Sequence, residues 1–383
     1  MIAGVLKETY PGERRVAIVP AAVNTLQKKG FVVHVEQGAG FEAGFTDAMY
    51  EHEGAIISGR SEIISKSDAI LQIRVLGTDP TADAEDLKLL KKGAVVIGLM
   101  DALTNREAVE SLKSAGVTAF ALELVPRISR AQAMDVLSSQ ANIAGYKAAL
   151  ITADSLPKMF PMMMTAAGTI TPAHVLVVGA GVAGLQAIAT CNRLGAVVSA
   201  YDIRPAVKEQ VKSLGAKFVE LELETGDAET EGGYAKAMDE DFYRKQRALL
   251  ARVVAENDAV ITTAAVPGKK APVLVTEDMV AGMKPGSVIV DLAAETGGNC
   301  ELTQAGKTVE HNGVRIYGPV NLASSVPYHA SQMYSKNISN LVLLMVKEEE
   351  IKINMEDEIL KESLVAEDGK IVNDRVRESL GIG

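Results

Sequence analysis

Two doubly wound α/β domains with parallel sheets, the second inserted in the first and a cleft between them, are the fold this sequence predicts. Three observations predict it. Short apolar runs alternate with helical patterns in two separate series. The second series opens on a Gly-x-Gly-x-x-Gly turn set between a strand and a helix. A last helical pattern, at 324–346, follows that series and is placed to return the chain to the first domain. A chain of 383 residues exceeds one ordinary core, so two domains are expected. Their expected extents are 1–135 with 325–383 for the first, and 136–324 for the second.

In the first series the apolar runs at 2–6, 31–35, 69–73, 94–99 and 117–122 read as strands, with helices at 20–29 and 105–115. A long pattern at 136–158 reads as a connecting helix. The second series has its clearest strands in AHVLVVG from 173, AVVSAYD from 196, DAVITTA from 258 and SVIVDLA from 287. The acidic stretch 220–231, ELELETGDAETE, has almost no core face and reads as a mobile loop that serves function or is only a surface connection. Residues 347–383 are sparsely apolar and are expected to form a solvated face or a loosely docked tail.

Composition removes several classes of function. A formal net charge of −10 leaves no basic stripe for nucleic acid. No apolar stretch reaches the roughly 18–20 residues needed to span a bilayer, so direct membrane insertion is not expected. The charged start, with Lys7, Glu8, Glu13, Arg14 and Arg15, is unlike a signal peptide. Cys191 and Cys300 lie far apart without histidines at metal spacing, which favours a reducing compartment and no metal site. Cys191, in the helix after the glycine turn, reads as a small buried hydrophobe. The run Met159-Phe160-Pro161-Met162-Met163-Met164 is expected in core or dimer packing, with a partner surface as the alternative.

The strongest chemical signal is Gly179-Ala180-Gly181-Val182-Ala183-Gly184, which follows the apolar strand 175–178 and opens a helix. In such a Rossmann turn the first glycine permits the bend, the second lets backbone approach a pyrophosphate, and the third lets the helix pack on the strand. The helix N-terminus then presents free N–H groups to the phosphates. Asp202 ends the next strand, roughly 20 residues further on, where a carboxylate accepts hydrogen bonds from the adenosine ribose hydroxyls. That carboxylate repels a 2′-phosphate and favours NAD(H), whereas the nearby Arg204 could accommodate one.

Longer strings go beyond this fingerprint. ETYPGERRVAIVP near the start, VPRISRAQAMDVLSSQANIAGY from 125, GAGVAG, GGYAKAM from 232, ITTAAVPGKKAPVLVTEDMV and MKPGSVIVDLAAETGGNC resemble the NAD(H)-binding domain I, or alpha-1 subunit, of proton-translocating transhydrogenase. This is a branch of the alanine dehydrogenase/transhydrogenase family, and the likeness runs from about residue 1 to 345. The resemblance implies a cytoplasmic homodimer, peripheral on the membrane through a membrane subunit (domain II) and an NADP(H)-binding domain III. It implies direct hydride transfer between NADH held here and NADP⁺ on the partner, coupled to proton translocation. It further implies that Arg127, Gln132, Asp135 and Ser138 fix the nicotinamide and its ribose, with Ile128 and Ser129 in the same loop. Tyr234 would close a mobile loop over bound nucleotide, and Gly233, Val182, Ile203 and Ala265 would line it, with Ala265 smaller than the residue that pattern leads one to expect.

Alanine dehydrogenase is the competing reading, because it shares the fold and the opening motif. Oxidising an amino acid also requires deprotonation and imine hydrolysis, hence a titratable acid/base pair. Gln72 stands where its lysine is expected, and Leu99 and Met100 where its histidine is expected; His34, His52, His174, His311 and His329 all lie elsewhere. Gln72 also departs from the transhydrogenase pattern, which points to a vestigial substrate pocket, with a polar pocket for another ligand as the alternative. Arg15 is read as half of a structural ion pair, with carboxylate binding as the alternative. A non-catalytic NAD(H)-sensing module is the third reading.

Overall fold

A computed structural model describes residues 1–220, 240–266 and 268–382. The acidic stretch from 221 on, Gly233 and Tyr234 lie outside the described residues. The chain divides into two compact units, Met1–Gln140 with Ala323–Gly383, and Ala141–Leu322.

The first unit is built on strands β1 (Ile2–Val5), β2 (Val32–Glu36), β3 (Ile56–Ser58), β4 (Ala69–Arg74), β5 (Val95–Leu99) and β6 (Thr118–Ala121). They pair in parallel in the order β6-β5-β4-β1-β2-β3. A parallel sheet is covered on both faces, so its strands read as continuous apolar runs. In β4, Ala69, Leu71 and Ile73 enter one core while Ile70 enters the other. Between β5 and β6 the helix Arg106–Ala115 starts on Asn105, whose side chain accepts the Ala108 N–H, and stops at left-handed Gly116. The returning helix, Pro327–Leu344, buries Tyr334, Ile338 and Leu341 in the same core as β1.

The C-terminal residues depart from the expected loosely docked tail. Strand Leu364–Glu367 pairs antiparallel with β6, and strand Lys370–Ile371 follows it, so the tail supplies the last two strands of the sheet. Ile359, Leu360, Leu364, Val365, Ala366 and Val376 are fully buried. The turn joining these strands is Asp368-Gly369, both at positive φ, the geometry that a two-residue hairpin demands and Asp-Gly supplies. Asp357 and Asn373 cap the two short helices of the tail.

In the second unit, the hairpin β7 (Met163–Thr165) and β8 (Gly168–Ile170) precedes a sheet of β9 (His174–Val178), β10 (Val197–Tyr201), β11 (Lys217–Phe218), β12 (Ala259–Thr262), β13 (Val288–Asp291), β14 (Thr308–His311) and β15 (Val314–Tyr317). The order is β11-β10-β9-β12-β13-β15-β14, parallel except for β14. Strand order therefore reverses at β9, which pairs with β10 on one side and β12 on the other. Its residues alternate between cores: Val175 and Val177 on one face, Leu176 and Val178 on the other.

The methionine run does not fill the core of its own chain. Phe160 is buried, whereas Met159, Met162, Met163 and Met164 are exposed, Met164 at 76%. The connecting helix runs Val136–Ser155. No helix among the described residues is long and apolar enough to cross a membrane.

Replacing Leu364 by Ala should cost about 2–5 kcal/mol, the range for removing a buried leucine side chain. Urea unfolding checks this, and a loosely docked tail would give a change near zero.

Candidate functional site

The glycine turn sits at the carboxyl end of β9, where the strand order reverses. Ligands of open α/β sheets bind in the crevice at such a switch point. Gly179 adopts φ +97° and donates its N–H to the Tyr201 carbonyl at 2.8 Å. A Cβ on Gly184 would lie 1.9 Å from the Gly179 carbonyl oxygen, so only glycine lets the helix Val182–Arg193 come this close to the turn. At Gly181 the situation is opposite: a Cβ would meet nothing within 4 Å, and backbone faces open space. Gly181 caps the helix without a side-chain hydrogen bond, and the first turn carries no acid. Its free N–H groups and positive dipole end fit an anionic diphosphate.

Asp202 lies just past β10, with its side chain 6% exposed. Its Oδ2 accepts the Ala180 N–H at 2.7 Å, which fastens it to the turn, and Oδ1 accepts the Arg204 N–H at 2.8 Å. The Arg204 guanidinium closes on the same carboxylate through Nε and Nη2, both at 2.9 Å. Arg204 is thus paired with Asp202 through its backbone and its guanidinium. Ile203 between them is partly buried, Val182 opens the helix and is exposed, and Ala265 is exposed in the loop after β12.

Arg127, Ile128, Ser129, Gln132, Asp135 and Ser138 belong to the first unit. Ser129–Met134 forms a 3-10 turn, with Ala131 and Met134 buried in the core and Arg127, Ser129 and Gln132 exposed. Asp135 and Ser138 come together: Ser138 donates its N–H to Oδ1 at 2.9 Å and its hydroxyl to Oδ2 at 2.6 Å. This is the geometry of an N-cap, so Asp135 starts the helix Val136–Ser155. Arg130 reaches from the turn to Asp357 in a two-pronged ion pair at 2.6 and 2.9 Å, tying it to the C-terminal tail.

Arg15, Gln72, Leu99 and Met100, weighed above against amino-acid oxidation, lie in the first unit. Arg15 is 3% exposed and pairs with Glu13 through Nε at 2.8 Å and Nη2 at 2.6 Å, while its Nη1 donates to Gln140 at 2.8 Å. That is the structural ion pair, and it engages the arginine's donors inside the protein. Gln72 is buried and accepts the Leu76 N–H, Leu99 is partly buried and Met100 is buried. Glu8 escaped sequence reasoning, although it stands in the first motif. Its carboxyl group accepts the N–H groups of Ile73 and Arg74. Loss of water, then the neighbouring Glu13 carboxylate, push its pKa from the ordinary 4.5 up to about 8, against the pull of those two N–H groups.

Asp291 and Asn299 were also missed as separate signals, for they sit inside VIVDLAAETGGNC without a recognisable spacing. Both are fully buried. Asp291 accepts from the N–H groups of Ala293, Asn299 and Cys300 and from the Thr303 hydroxyl. Cys191 and Cys300 are buried thiols raised to about 12 and about 11, chiefly by burial, so neither is a ready nucleophile. No cluster suited to a metal ion occurs among the described residues.

Fold and site together define a nucleotide-binding α/β protein of the dehydrogenase type. Comparison with known proteins narrows this. Residues 4–144 match the family model "Alanine dehydrogenase/PNT, N-terminal domain", and residues 148–374 match the "Alanine dehydrogenase/PNT, C-terminal domain" model. An NAD(P) transhydrogenase alpha subunit of Rhodospirillum rubrum is 50% identical over 372 residues, which cover 96% of each chain. The crystal structure of transhydrogenase from Sinorhizobium meliloti superposes with a TM-score of 0.87 at 46% identity, covering 97% of this chain and all of that one. A structure of L-alanine dehydrogenase is similar at TM-score 0.83 and 26% identity, over 100% of this chain and 99% of its own. The chain belongs to the alanine dehydrogenase/PNT family and, within it, to the NAD(P) transhydrogenase alpha subunits.

A carboxyl group that holds its proton more tightly in the folded state stabilises the fold fully below its unfolded pKa and loses that contribution as pH rises. For Glu8 the window runs from 4.5 to about 8. Melting temperature should therefore fall more steeply across this window in the native chain than in Glu8→Gln, whose side chain stays neutral. Parallel curves would show that Glu8 does not titrate there.

Proposed function

We propose that this chain holds NAD(H) at the glycine turn and takes part in direct hydride transfer with NADP(H) held by a partner domain III, while a separate membrane subunit couples the exchange to proton translocation. One observation carries this reading. The second unit has the parts to bind a dinucleotide, yet Gln72, Leu99, Met100 and the closed Arg15–Glu13 pair occupy the places where amino-acid chemistry would need an acid, a base and a free cation. Transfer between two nicotinamides needs no proton carrier, and positioning does the work.

Each residue then has a task. The N–H groups at Gly181, Val182 and Gly184 receive the diphosphate, and the open space at Gly181 admits it. Asp202 accepts the adenosine ribose hydroxyls; by engaging Arg204 it also removes the nearby cation that a 2′-phosphate would need. The bound nicotinamide supplies the hydride. Arg127, Gln132, Asp135 and Ser138 orient the nicotinamide and its ribose, with Asp135 and Ser138 already locked to each other. Ile128, Ser129, Ile203, Ala265, Gly233 and Tyr234 complete the surround. The exposed methionines and Ile170 of the β7–β8 hairpin offer an apolar surface to a second copy, the homodimer that this reading includes.

The test mixes the purified chain with an NADP(H)-binding domain III and follows reduction of a nicotinamide analogue by NADH. Rapid transfer supports the proposal; good NADH binding with no transfer to any domain III would favour a sensing module, and turnover of an amino acid by this chain alone would favour the dehydrogenase.

Two variants divide the labour. Asp202→Asn should weaken NADH binding about 10–100-fold, the loss of a charge-assisted hydrogen bond, and narrow the preference over NADPH by releasing Arg204. Gln132→Asn should slow transfer at saturating NADH about tenfold or more with little change in NADH affinity. Stopped-flow rates and fluorescence titration separate the two effects, and equal losses of affinity in both variants would contradict the assignment.

A further inference from the structure

The loop that leaves β12 lies beside the glycine turn. Thr263 donates its N–H to the Val178 carbonyl at 2.8 Å and its hydroxyl to the Gly179 carbonyl at 2.9 Å, so the loop's first residue is fixed to the turn from one side. The next residue, Ala264, is held from the other side by a single side chain. Asn299 accepts the Ala264 N–H on Oδ1 at 2.9 Å and donates Nδ2 to the Ala264 carbonyl at 2.8 Å and to the Pro272 carbonyl at 2.9 Å. Both donors and the acceptor of the carboxamide are engaged, and the residue is fully buried. Asn299 is itself held by Asp291, whose Oδ2 accepts its N–H at 2.7 Å, and Asp291 ends β13. A rigid path therefore runs from the floor of the sheet through Asp291 and Asn299 to Ala264, and ends one residue before exposed Ala265.

We infer that Asn299 is a positioning residue for the nicotinamide half of the bound dinucleotide, acting by fixing the height of the 263–266 loop above the sheet. The inference rests on the NAD(H) site proposed above. In this sheet order Asp202 follows β10, on the adenosine side of the switch point, so the other half of a dinucleotide lies over the carboxyl ends of β12 and β13. A carboxamide that grips both backbone groups of one residue acts like a missing strand partner. Such a brace is suited to holding an apolar wall at a set distance from a flat ring. Hydride transfer depends on sub-ångström placement, so loosening that wall should slow it even when nucleotide is saturating.

The test compares Asn299→Ala and the milder Asn299→Ser, which retains one donor and acceptor, with the unaltered chain. NADH and ADP are the two ligands, and domain III is the hydride acceptor. Expected for Asn299→Ala are NADH binding weakened about tenfold, ADP binding within about twofold of the unaltered chain, and a transfer rate at saturating NADH lowered about tenfold. Asn299→Ser should fall between. Parallel loss of ADP and NADH affinity, or an unchanged transfer rate at saturation in a folded variant, would overturn the inference, since a purely structural role predicts one or the other. The unaltered chain gives an independent check that needs no variant: hydrogen exchange over 259–266 should be slow at Ala264, and fast exchange there would also overturn it. Failure of the unaltered chain to bind NADH would overturn the proposed function together with this inference, whereas normal binding with an insensitive Asn299 overturns only the latter.

Discussion

Backbone meeting backbone at Gly184 and Gly179 is the contact on which the second unit turns. With no side chain between them, the helix Val182–Arg193 seats directly on the turn that ends β9, the strand at which the order reverses. The same approach brings Ala180 within hydrogen-bonding reach of Asp202, so the acid is fastened to the turn. One steric constraint thereby sets the positions of the helix N-terminus and of Asp202 together. Thr263 joins the arrangement through the Gly179 carbonyl, which links the turn to β12 as well as to β10.

Much of the fold could be read from the sequence because parallel strands covered on both faces must be apolar at consecutive positions. That pattern survives without any knowledge of partners, and it located β1, β2, β4, β5, β6, β9, β10, β12 and β13. β3 and the tail strands were missed for a common physical reason: they are short and lie toward the sheet's margins, where apolar content is diluted. The tail nevertheless carried a readable sign. Asp368-Gly369 between the apolar runs 364–366 and 371–372 is a hairpin signal, and Asn312-Gly313 marks the β14–β15 turn in the same way. Local turn chemistry here was more telling than average hydropathy. Of the two settings expected for the methionine run, core or dimer packing, exposure of Met162, Met163 and Met164 excludes the core of the same chain, since an apolar string is buried there only when that chain has a surface to cover it.

At the candidate site the fingerprint glycines and Asp202 were legible because each answers a steric or electrostatic demand that few residues meet. Asn299 and Asp291 were not, because their work is done through hydrogen bonds to backbone far along the chain, and such partners leave no periodicity. The Asp135–Ser138 pair shows a related ambiguity. A spacing of three residues suits an N-cap as well as a ligand-facing network, and the structure shows the cap in place. In the first unit a buried charge is likewise closed as a pair, with Arg15 locked to Glu13.

The antiparallel strand Leu364–Glu367 has a consequence for the order in which the molecule can be made. It supplies the neighbour of β6, and its fully buried Leu364 and Val365 join the cores on both faces of that sheet. Those residues leave the ribosome only after every segment of the inserted unit has been synthesised. The second unit, whose strands are all contiguous in the chain, is able to complete its core while the first still waits with an open sheet edge. An unpaired edge invites pairing with other chains, so the emergence of this strand is the moment at which that exposure ends.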